Sequence, residues 1–127
     1  FLKSIALKYL QAPYQWGGKS PFGVDCSGFT QMVYKINGYS ISRDAHQQAG
    51  CGRLVASLQS GLPGDLVYFY NESGNIGHVG IILEDHRIIH ASGRVKIDQL
   101  TEEGIVDLES NVITHRFAGI RRILINN

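Results

Sequence analysis

The spacing of apolar residues changes period once along the chain. Residues 1–10 carry an amphipathic helical pattern, and a second helix is predicted where Phe29, Met32, Val33 and Ile36 recur at three- and four-residue steps, with Asn37-Gly38 as its stop. Between them, Pro13 to Gly23 reads as a long turn-rich loop, and a short helix is predicted around Asp44 to Ala49, capped by Asp44. The stretch from there to Leu62-Pro63-Gly64-Asp65 is weakly patterned. Beyond it the signals are those of strands: Leu66 to Tyr70, His78 to Leu83, Arg87 to Ala91, Val95 to Ile97, and one within Phe117 to Ile125. Turns at Asn71-Glu72-Ser73-Gly74 and Glu84-Asp85-His86 separate them. Helices followed by short-looped strands predict an α+β domain, its N-terminal helices packed on one face of an antiparallel sheet of about five strands.

At 127 residues the chain fits one domain, 1–127, large enough to bury roughly two thirds of its unfolded surface. Twelve Lys and Arg against eleven Asp and Glu leave a charge of +1, with no basic run, so composition offers nothing to a nucleic acid or an anionic membrane. Arg116, Arg121 and Arg122 read as solvated strand edges. No apolar run approaches a membrane span. The chain starts without Met, inside an amphipathic pattern, which predicts a domain cut from a longer chain with an upstream module.

Composition draws attention to Cys26, one of two cysteines, because Asp25-Cys26-Ser27-Gly28 places a thiol at the first turn of the second helix. Unpaired N–H groups and the positive end of the helix dipole favour a thiolate there. A drop of about two units from the ordinary value near 8.5, or about 2.7 kcal/mol, would ionise most of it. Asp25 suits the N-cap, although its charge opposes that shift. A small buried apolar residue is the competing reading of Cys26. Cys51, between two glycines, reads as an incidental loop thiol, and the pair lacks the spacing of a structural zinc site.

Of five histidines, His86 falls in a predicted turn, and His46 and His115 in weakly determined segments. His78 and His90 are connected by strand geometry. A three-residue hairpin loop starting at Ile82 or Leu83 gives paired positions an even sum, which puts His78 and His90 on one sheet face; a two-residue loop separates them. On the first register two imidazoles stand together where the Cys26 helix can pack. A thiol, a base near neutral pKa and a group to orient that base are what nucleophilic catalysis requires.

Six segments in order resemble the NlpC family of bacterial cell-wall cysteine peptidases: Ala12-Pro13-Tyr14-Gln15-Trp16-Gly17-Gly18, Asp25-Cys26-Ser27-Gly28-Phe29, Arg43-Asp44 with Gln47 or Gln48, Pro63-Gly64-Asp65-Leu66-Val67-Tyr68-Phe69, His78-Val79-Gly80-Ile81, and Ile89-His90-Ala91. The resemblance implies a papain-like fold with Cys26 as nucleophile, His78 as general base and His90 as its orienting partner. It implies peptidoglycan stem peptides as substrates, cleaved at the γ-D-glutamyl bond before a diamino acid, and a periplasmic or secreted location. It brings the Cys26 N–H and the Tyr14 hydroxyl to the oxyanion pocket, and Trp16 to the pocket wall. Asp25, Ser27 and Asp44 match positions that hold a free L-alanine ammonium in some relatives, yet Ala45 stands where such relatives often carry serine. No cofactor or metal is implied. An acyltransferase or amidase on the same scaffold, and a non-catalytic wall-binding module, are the rival readings.

Overall fold

The computed structural model of the chain describes residues 6–7, 19–20, 23–36, 41, 43–50 and 52–123. Ala6 and Leu7 are helical, as the first ten residues predict, and Ala6 is fully buried. A two-stranded ribbon, β1 (Lys19–Ser20) and β2 (Gly23–Val24), leads into helix α1 (Cys26–Ile36), which is followed by the short α2 (Ala45–Gln48). Then come β3 (Arg53–Val55), a 3-10 turn (Leu58–Ser60), β4 (Leu66–Tyr70), β5 (Ile76–Leu83), β6 (Arg87–Ser92), β7 (Arg94–Leu100), β8 (Gly104–Val106) and β9 (Ile113–Arg122).

The α+β character and the antiparallel pairing are as predicted, but the sheet is not an open one of five strands. Its order is β3-β9-β4-β5-β6-β7-β8, and β8 pairs with β9 as well, so six strands close into a barrel with β3 appended. The closure is made by β9. One of its edges runs along β4, while the other meets β8 through Gly104↔Arg116 and β3 through Val55↔Ile120. At three residues each, β3 and β8 are too short to display a period, and β9 begins four residues before the predicted strand segment, among polar residues.

Alternation along the strands sorts the apolar side chains into two cores. Leu66, Tyr68, Val79, Ile81, Leu83, Ile89, Ala91 and Val95 point outward beneath α1, against Phe29, Val33 and Tyr34. Val67, Phe69, Ile82, Ile88, Leu100, Ile105 and Ile120 fill the barrel. Each large side chain fully buried in this way contributes roughly 1.5–3 kcal/mol. The Asp25 carboxylate caps α1, accepting the Gly28 N–H at 2.6 Å, while the Asp25 carbonyl accepts the Phe29 N–H at 2.9 Å. Asp44 has the extended backbone of a cap before α2 but makes no side-chain cap bond.

Several polar side chains act as struts. Tyr34 donates its hydroxyl to the Gly64 carbonyl, tying α1 to the turn before β4. Gln48, fully buried, donates to the Ser27 carbonyl at 3.0 Å and accepts from Thr30 at 2.7 Å, which fixes α2 to the first turn of α1. Arg122 is not simply solvated: its guanidinium grips buried Asp65 at 2.9 and 3.0 Å and the Ser60 carbonyl at 2.9 Å. Arg121 likewise donates to the Tyr68 hydroxyl at 3.1 Å.

Candidate active site

The β5–β6 hairpin turns through Glu84, Asp85 and His86, with Asp85 and His86 at φ of 60° and 57°, and pairs Leu83 with Arg87. The loop begins at Glu84, later than the predicted start at Ile82 or Leu83, but its three residues still make the register sum even, so Gly80 faces His90 and His78 lies diagonally from it on the same face. The β6–β7 pairing continues the diagonal, because His90 faces Lys96 and Asp98 stands two residues further on. One polar row therefore crosses three strands: His78, His90, Asp98. The His78 Nε2 lies 2.8 Å from His90 Nδ1, and His90 Nε2 lies 2.8 Å from Asp98 Oδ2. All three are buried, at 6%, 1% and 2% exposure.

The histidines share the barrel face with Phe69 and Ile88, so α1 does not pack on them as the sequence predicts; it covers the opposite face. Cys26 instead approaches the beginning of β5. Its Sγ lies 3.9 Å from the Gly77 carbonyl, one residue before His78. A cavity of about 460 Å³ opens onto both, lined by Cys26, Tyr70, Asn71, Glu72, Gly77, His78, Ala91, Ser92, Gly93, Thr114 and His115. The strand-pair irregularity between Phe69 and Tyr70 falls at this mouth, a frequent use of a bulge.

Burial, not the helix dipole, dominates the thiol. Desolvation raises the Cys26 pKa above its ordinary value, the Val79 N–H pulls it down by less, and the Asp25 charge adds to the rise. The shift runs opposite to the one that helix position alone favours. Burial likewise pushes His78 well below the usual imidazole range, with His90 and His115 adding to the shift. His90 is lowered by burial despite the opposing pull of Asp98. The resting pair is thus a neutral thiol beside a neutral imidazole.

Asp25 and Ser27 are brought together, but around Arg43. The guanidinium grips the Asp25 carboxylate at 2.8 and 3.0 Å and donates to Ser27 Oγ at 2.9 Å. Asp44 is exposed. None of these three is among the described residues lining the cavity. Tyr14, Trp16 and Cys51 lie outside the described residues.

This geometry accords with the sequence as a whole, since residues 11–120 match the NlpC/P60 family. The chain is a member of the NlpC/P60 family. It is 44% identical over 99 residues to the γ-D-glutamyl-L-lysine dipeptidyl-peptidase of Bacillus subtilis strain 168, covering 74% of this chain and 33% of that protein. The fold superimposes on an NlpC/P60 family protein of Bacillus cereus with a TM-score of 0.83 at 33% identity, covering 98% of this chain and 39% of that one. The NlpC/p60 domain of the peptidoglycan hydrolase SagA aligns with a TM-score of 0.68 at 37% identity, covering 77% of this chain and 86% of that domain. The chain spans about a third of the length of the dipeptidyl-peptidases it matches.

Within this NlpC/P60 domain two neighbours of the histidine pair escaped the sequence reading. Asp98 sits one residue past the predicted Val95–Ile97 strand, and the observed β7 runs on to Leu100. His115 stacks on His78 at 4.0 Å between ring centres and 19° between planes, and burial lowers its pKa to about 4. Extending the 95–97 alternation by one step, to the side-chain parity of Lys96, is the signal that finds Asp98. The ring nitrogens of His78, His90 and His115 approach within 4.8 Å of one another. A metal there would have to break the 2.8 Å His78–His90 bond and disturb the stacking of His78 on His115. No helix among the described residues is long and apolar enough to cross a membrane.

Proposed function

We propose that this chain is a cysteine endopeptidase acting on peptidoglycan stem peptides, cleaving the bond between γ-linked D-glutamate and the following diamino acid. The observation that carries the reading is the shared cavity: Cys26 and His78 line one opening, with the far nitrogen of His78 held by His90. Family membership and the names of the dipeptidyl-peptidase relatives support the substrate class.

With thiol and imidazole both neutral at rest, proton transfer accompanies attack. The Cys26 Sγ adds to the γ-carbonyl carbon of D-glutamate as His78 Nδ1 takes the thiol proton. The oxyanion is received by the Cys26 N–H at the start of α1 and by the Tyr14 hydroxyl. Collapse expels the diamino acid amine, protonated by His78, and leaves a thioester on Cys26. Water, deprotonated by His78, then releases the glutamyl acid and restores the thiol. Such a substrate lies in the cell envelope, so the proposed site of action is periplasmic or secreted.

The reading is tested by incubating the protein with L-Ala-γ-D-Glu-L-Lys and L-Ala-γ-D-Glu-meso-diaminopimelate stems, with and without a blocked N-terminus, and weighing the products. Release of the diamino acid portion supports it. Transfer of the glutamyl group to an added amine without hydrolysis, or no turnover of any stem, overturns it.

A further inference from the structure

We propose that Asp98 dictates where the protons sit along the His78–His90 pair and is a positioning residue for the thiol chemistry. The inference rests on the reading of Cys26 and His78 as nucleophile and base. A histidine is an ambiguous orienter, because neutral imidazole can donate from either nitrogen. With His90 alone, two chains of hydrogen bonds are equally allowed. In one, His78 donates from Nε2 and keeps a bare Nδ1 for the thiol proton. In the other, His90 donates from Nδ1, His78 accepts at Nε2, and the His78 Nδ1 carries a hydrogen and cannot act as base.

The carboxylate of Asp98 removes the second choice. Burial works to raise its pKa, but the His90 ring and the Leu108 N–H hold it below the ordinary value, so it is ionised and can only accept. One oxygen, Oδ1, takes the Leu108 N–H at 3.0 Å. The other, Oδ2, lies 2.8 Å from His90 Nε2 and 3.3 Å from the Lys96 ammonium. The hydrogen of His90 is therefore on Nε2, its Nδ1 is the acceptor, and His78 must donate from Nε2. Lys96 bridges on to Asp107 at 3.0 Å, which balances the charge that Asp98 brings into the barrel wall. The sheet register makes the arrangement rigid: each link joins diagonal neighbours on adjacent strands, His78 to His90 across β5–β6 and His90 to Asp98 across β6–β7. His115 does not compete, since it meets the face of the His78 ring and its own Nδ1 lies 2.9 Å from the Thr114 hydroxyl.

The test is the tautomer itself, read by long-range proton–nitrogen NMR correlations on the 15N-histidine-labelled protein at pH 7.5, where no substrate is needed. The expected pattern is a hydrogen on Nε2 and a bare Nδ1 for both His78 and His90. A hydrogen on Nδ1 of either ring overturns the proposal. In the Asp98→Asn variant the amide can donate, so the reversed tautomer should appear and iodoacetamide alkylation of Cys26 should slow at least about tenfold, in line with the effect of such a swap in other triads. Slowing of less than that in a folded variant also overturns it. Failure to fold leaves the decision to the unsubstituted protein's spectrum. The expected tautomers in a protein that cleaves no stem peptide would retain this inference and reject the substrate reading.

Discussion

Lowering the pH from 7 to 5 should remove about 2 kcal/mol or more of folding stability, because histidines are held neutral within the barrel. His78 is kept well below the ordinary 6.5 chiefly by burial, and His115 is held at about 4 for the same main reason. Below 6.5 the unfolded chain takes up protons that the folded chain refuses, so stability falls as pH falls, by about 1.36 kcal/mol per unit for each such group. Over the roughly 1.5 units from 6.5 to 5 that is about 2 kcal/mol for His115, and His78 adds to the loss in the same direction. His90, also lowered by burial, adds in the same direction, and even about 2 kcal/mol is a large share of the 5–15 kcal/mol typical of a domain. Asp98 and Asp107, held below the usual carboxylate range, deepen the loss only at still lower pH. Urea unfolding followed by far-UV circular dichroism at pH 7, 6 and 5 reads the effect, and a His115→Gln variant should shrink it by about 2 kcal/mol. A change of less than about 1 kcal/mol between pH 7 and 5 would refute the neutral, buried histidines on which the chemistry depends.

Three further outcomes follow from the same geometry. A Cβ on Gly80 would stand 2.7 Å from Ile88 Cδ1 and 3.0 Å from His90 Cβ, so Gly80→Ala should cost about 1–3 kcal/mol in thermal unfolding and depress turnover by shifting His90. Replacing Arg43 by Met takes the guanidinium from buried Asp25, whose charge already raises the Cys26 pKa; iodoacetamide titration should show slower alkylation, with roughly 1–3 kcal/mol lost in stability. The profile of kcat/KM against pH should be a broad plateau, its acid limb below 6.5 and its alkaline limb above 9.0, set by the coupled pair of depressed His78 and raised Cys26. A single optimum falling on both sides between those values would count against the neutral pair.

Much of the site was legible because the decisive features are local. The Asp25 cap and the apolar steps of Phe29, Val33 and Ile36 locate Cys26 at a helix start, and the three-residue turn at Glu84-Asp85-His86 puts His78 and His90 on one face. The barrel was not legible, because its closure depends on β9 pairing with β8 on one edge and with the sequence-distant β4 on the other, and a three-residue strand such as β8 carries no period. Asp98 was hidden by reading β7 as ending at Ile97, and His115 by the polar run before it. The thiol's ionisation is not legible for a different reason. Helix position is visible in sequence, whereas the burial that outweighs it arises only when α1 closes over the sheet. The same holds for Asp25 and Ser27, whose tie to Arg43 joins positions 18 and 16 residues apart in the sequence.

The central claim is that Cys26 is the nucleophile for the γ-D-glutamyl bond, and the most direct measurement compares turnover of L-Ala-γ-D-Glu-L-Lys by the parent and the Cys26→Ala variant. The account predicts cleavage by the parent and a fall of at least about 10⁴-fold in kcat for the variant, with its thermal unfolding little changed. Retention of cleavage within tenfold of the parent would contradict it.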